Sequence, residues 1–177
     1  MSKELDTAVT DFRERVVVFL AFLTSAECQA ACRRHALPEE LAAALARLWF
    51  DEIYVPGDSY LHGLKGDRSD NDLDRFNACF TDDELAELER FHGFFELRLD
   101  FVSNSALGRA FFPDNDSWRS LVKHAAYVLA DLDPDPDRLR GLLAAFVEEA
   151  LNEGNDGALL EGLRRPRLIA SGKERGA

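Results

Sequence analysis

From Leu5 to Leu23 the apolar residues recur with a helical period. At 100° per residue, Leu5, Ala8, Val9, Phe12, Val16, Phe19, Leu20 and Leu23 fall on one face. Val17, Val18 and Phe22 widen that face until the second half is apolar nearly all round. Such a helix belongs in the middle of a bundle. The unbroken run from Val16 to Leu23 is far shorter than the roughly 20 residues needed to span a bilayer. No later stretch alternates long enough for a strand. The chain is therefore expected to be all-α: one irregular helical bundle of about seven helices, packed around the first and the fifth.

The punctuation agrees with that reading. Thr24-Ser-Ala-Glu27 has the form of a capping box and should start a short second helix ending near His35. Pro38 suits the first position of a third helix that runs to Ile53 and stops before Pro56-Gly57. Residues 57–69 read as a loop, and Ser69-Asp-Asn-Asp72 starts a fourth helix that ends near Phe80. Thr81-Asp-Asp-Glu84 is a second capping box, opening a fifth helix to about Val102. A loop containing Phe111-Phe112-Pro113 follows, tucked against the body. The sixth helix begins near Asp116, and Asp133-Pro-Asp-Pro-Asp137 separates it from a seventh. A short eighth covers 156–163. Residues 1–163 thus form the helical domain, and 164–177 a basic, flexible tail.

The 177 residues carry a formal charge of -12. An acidic body repels phosphate backbones, so nucleic acid is not expected as a partner, nor is a membrane. The wealth of Arg and Ala suggests a bacterial source of high GC content. The start of the chain, Met1 to Arg15, has no signal-peptide character. Cys28, Cys32 and Cys79 are an odd count with no disulfide framework, which fits a reducing, cytoplasmic setting. Cys28, Cys32 and His35 share a helical face, but Cys-x₃-Cys is not a zinc-knuckle spacing, so these cysteines read as packing residues.

Two groups of residues can carry function. In the fifth helix the stripe Leu85, Leu88, Phe91, His92, Phe95, Leu99 and Val102 should be core, with Glu89 and Glu96 at its edge. Glu89-x-x-His92 has the spacing found in di-iron bundles, but it occurs only once. In the third helix Glu52 continues the series Leu41, Leu45, Leu48 and should point inward. An inward carboxylate must be paired, protonated or bound to a cation. No cofactor is expected on balance. If one is held, Glu52, His62, Glu89, His92 and Glu96 would offer an N/O set for divalent Zn, Fe or Mn. The simpler alternative pairs Glu52 with Arg68, Arg75 or Arg98 and makes His92 a hydrogen-bonded core residue.

The second group is Phe94, Leu97 and Phe101, opposite that stripe. They read as core if the helix is central, which is the favoured reading, and as an interaction surface if it is peripheral. The aspartate runs fail the EF-hand pattern, because positions six and twelve are wrong from each possible start. There is no G-x-S-x-G elbow, P-loop, G-x-G-x-x-G or H-E-x-x-H. The leading expectation is a protein acting by partner binding or self-association, with a basic protein as partner. The alternative is a metal- or small-molecule-binding bundle centred on Glu52 and His92.

Overall fold

The computed structural model describes residues 2–35, 44–55, 70–101, 116–154 and 156–166. His62, the segments 57–69 and 103–115 read above as loops (with Phe111 to Pro113), Pro38, and residues 167–177 lie outside them. So do the side chains of residues 2–11, 33, 70, 71, 98–101, 116–118 and 156.

The fold is all-α, and the described residues contain no strand. In chain order the helices are α1 (Ser2–Thr24), α2 (Ala26–Arg34), a π-helical segment π1 (Leu48–Ile53), α3 (Asp70–Asn77), α4 (Asp82–Phe101), α5 (Asp116–Leu132), α6 (Pro136–Asn152) and α7 (Asp156–Arg164). No single one of them is long and apolar enough to cross a membrane.

α1 is the axis of the bundle. It packs against α5, α6, α3, α7 and π1, and every residue from Val16 to Leu23 is buried. The second axis expected from the sequence is displaced. α4 lies mainly against α5, which in turn packs on α1. The faces of α5 and α6 follow the helical pattern. Leu121, Ala125, Val128 and Leu129 are buried on one, and Leu143, Ala144, Val147 and Leu151 on the other.

The caps explain where the chain turns. Asp135 precedes Pro136 and accepts from the Arg138 amide at 3.2 Å, starting α6. Thr81 and Glu84 form the reciprocal box: the Glu84 amide donates to Thr81 Oγ1, and the Thr81 amide to Glu84 Oε2. The first box is corrected by one residue. Thr24 stays in the last turn of α1, where its hydroxyl donates back to Leu20 O at 2.9 Å. Ser25 caps α2 instead, accepting from the Cys28 amide at 3.2 Å, and the chain bends there by 72°. Cys28, Cys32 and Cys79 are all buried and reduced, and burial pushes the Cys28 thiol up to about 11.

One side chain ties the long elements together. Arg13 on α1 donates to both carboxylate oxygens of Glu84 at 2.9 Å. It also donates to Cys79 O at 3.1 Å and to Leu132 O at 3.0 Å. The turn before α4 and the end of α5 are thereby fixed to α1. Arg13's hydrogen bonds, foremost among several causes, hold the Glu84 carboxyl below its ordinary 4.5. The pair's contribution is complete above that pH and is lost as pH falls through the lowered folded value. Arg13→Met should cost about 2–3 kcal/mol at pH 7, because charged hydrogen bonds are lost and two carbonyls lose a donor. In urea titrations the variant should also show a smaller acid-induced loss below pH 4.5 than the parent.

Two glycines make an internal comparison. A Cβ on Gly162 of α7 would run into the Phe146 ring of α6, whereas Gly141 of α6 faces open space. Gly141→Ala should stabilise by roughly 0.5–1 kcal/mol through helix propensity. Gly162→Ala should instead destabilise by about 1–2 kcal/mol through overpacking. Thermal melts of the two variants check the opposite signs.

Candidate functional site

The sequence-derived site centres on π1. Residues 44–47 are α-helical and run straight into it. There the hydrogen-bond step widens from four residues to five, and the Tyr54 amide donates to Trp49 O at 3.0 Å. The burial pattern follows the wider step. Leu48, Trp49 and Ile53 are buried, while Asp51 and Glu52 are exposed. This overturns the inward placement of Glu52. The α-helical repeat carries Leu48 onto Glu52, but the π-turn carries it onto Ile53.

Trp49 is the reason the turn can close this way. It is completely buried, and its indole meets Phe19 of α1 and Phe91 of α4 at centroid distances of 5.1 Å. Tyr54 stacks on it at 5.4 Å, with the planes 10° apart. Stacking across five residues suits a π-turn. Burial first, and then the nearby Glu89 carboxylate, raise the Tyr54 phenol well above its usual range.

His92 sits beneath this layer and is 5% exposed. Its ring lies 4.3 Å from that of Tyr54 and 5.0 Å from that of Phe50. Its Nδ1 accepts from Trp49 Nε1 at 3.3 Å. That bond assigns the tautomer: Nδ1 holds the lone pair, so the neutral ring carries its proton on Nε2. His92 is thus the hydrogen-bonded core residue of the simpler reading, and it satisfies an indole N–H that would otherwise be a buried orphan.

The remaining candidates do not gather around it. Glu89 is exposed, Glu96 is half-buried, and Glu52 faces another direction, toward α7. Among the described residues, no three His, Cys, Asp or Glu side chains are placed to share a metal ion. The second strip is divided. Phe94 is half-buried and meets His124 edge-on at 5.2 Å. Leu97 is 58% exposed, so this part of α4 is peripheral rather than core.

Glu52 has a partner that the sequence reading placed in the tail. Arg164, the last residue of α7, donates Nε–H to Glu52 Oε2 at 2.7 Å. The two line an open cleft of about 440 Å³ between α1, π1, α3 and α7. Phe12, Leu48, Ile53 and Val55 give it an apolar floor. Its walls carry four carboxylates, Asp51, Glu52, Asp72 and Glu161, and three guanidiniums, Arg15, Arg164 and Arg165. Arg165 Nε lies 3.0 Å from Glu161 Oε1. Asp51 has no hydrogen-bond or ion-pair partner among the described residues.

Sequence reasoning missed this cleft because its Glu52–Arg164 ion pair joins positions more than a hundred residues apart. The available signal was the basic end of α7, where cations complement the helix dipole and continue the helix rather than begin a tail. No protein-family model, no curated protein and no solved structure matches the chain.

His92 gives a pH prediction with a definite sign. Burial lowers its folded value to about 4 from 6.5. The unfolded chain therefore binds a proton first, and stability falls as pH drops from 6.5 toward 4. His92→Gln keeps an acceptor for Trp49 but removes the titration. Its stability relative to the parent should rise by up to about 3 kcal/mol between pH 7 and pH 4, as read from urea midpoints.

Proposed function

We propose that the protein acts by binding a partner, and that the cleft beside π1 receives a basic segment of that partner protein. The observation that carries this reading is the outward turn of Asp51 and Glu52. A π-turn spends helix regularity to expose two carboxylates above an apolar floor, and such turns are frequent at functional sites. Carboxylates over apolar surface suit a cationic head on an aliphatic stem, as in the side chains of Arg and Lys. The net charge of -12 favours encounter with a basic partner. The cleft is open and heavily charged, in keeping with an interface that takes side chains rather than one that encloses a small molecule.

Fluorescence anisotropy with a short labelled peptide alternating Arg and Leu tests this. The peptide should bind, and a Glu–Leu counterpart should not. Asp51→Asn combined with Glu52→Gln should weaken binding by about tenfold, since each exposed pair contributes modestly. Glu149→Gln with Glu153→Gln removes the same charge from exposed positions at the end of α6 and should change little. Leu97→Ser should also leave binding unchanged. Equal weakening by the two double variants would reduce the effect to bulk charge and end the proposal.

A further inference from the structure

We infer that Arg164 is the cleft's own occupant: it holds Glu52 as an arginine of the partner would, and it is displaced when that arginine arrives. The inference rests on the binding reading above and adds to it the chemistry of the ligand and a built-in competitor.

Glu52 is seen accepting a guanidinium, through Arg164 Nε at 2.7 Å. The side chains are 44% and 45% exposed, so the pair is held without burial and can exchange with solvent-borne groups. Arg164 also has a second place to go. Its NH1 already lies 3.9 Å from Glu161 Oε2, one turn back on the same helix. Arg165 occupies the other oxygen of Glu161, at 3.0 Å. When a partner's guanidinium takes Glu52, Arg164 can close on Glu161 and lose no charge compensation. The exchange is like for like at the carboxylate. What the partner gains is the adjacent Asp51 and the apolar floor beneath, neither of which Arg164 uses. The favoured ligand is therefore an arginine flanked by apolar residues. A lysine lacks the planar fork that matches a carboxylate edge.

A site partly occupied by its own side chain shows an apparent Kd raised by the reciprocal of the open fraction. For an exposed pair that factor is about two to five. The experiment uses the full chain and the Arg–Leu peptide. Arg164→Gln should tighten binding by about two- to fivefold. Arg165→Gln removes the same charge from the same cleft but frees only Glu161, and should tighten it less. In a Glu52→Gln background, Arg164→Gln should bring no gain. A Lys–Leu peptide should bind more weakly than Arg–Leu to every form.

Equal tightening by Arg164→Gln and Arg165→Gln would reduce the effect to the local field and overturn the inference. So would weaker binding by Arg164→Gln, which would make that residue part of the receiving surface. If Arg–Leu binds the parent but Arg164→Gln changes nothing, only the competitor fails. If the peptide binds neither form, the binding reading fails with it.

Discussion

The Arg13 guanidinium sets the geometry on which the rest depends. It lies on the central helix and spends its donors on three separate places: the Glu84 carboxylate, the carbonyl before α4 and the carbonyl at the end of α5. Glu84 is itself half of a capping box, so the same carboxylate starts a helix and anchors it. A carboxylate that is both cap and ion-pair partner has little freedom, and α4 inherits that constraint. Phe91, His92 and Phe95 then meet Trp49 and Phe50 in one fixed register.

From there the aromatic layer decides the shape of the surface. Trp49 must bury its rings and satisfy its N–H at once, and His92 Nδ1 is the acceptor that the layer supplies. Tyr54 completes the stack only if the backbone between them takes the wider turn. The exposure of Asp51 and Glu52 is thus tied to how an indole is packed. Core and surface are coupled here through one irregular turn.

The sequence made much of this legible. Helical periodicity placed α1 at the centre, and the Asp133–Asp137 and Thr81–Glu84 signals marked their boundaries correctly. It also separated the two readings of His92, and the hydrogen-bonded one matches the structure. What it could not show was the π-turn, because a period count assumes that the period is constant. Leu45, Leu48 and Glu52 fit an α-helical stripe, and nothing local announces the extra residue. Thr24 and Ser25 differ as caps by a single position, and both can cap. The partner of Glu52 was invisible for another reason. An ion pair between positions 52 and 164 is set by tertiary packing, and the sequence around Arg164 resembles a frayed end.

The π-turn also has a consequence for how such a site can arise and vanish. Its backbone loop holds one residue more than the α-helical turn it replaces. A single-codon deletion in that stretch would restore the regular repeat, leave Ile53 in register with Leu48 and remove one residue from the exposed side of the turn. A single insertion would do the reverse in an ancestor with a plain helix. The surface feature can therefore be acquired or lost in one genetic step while the surrounding helices keep their positions.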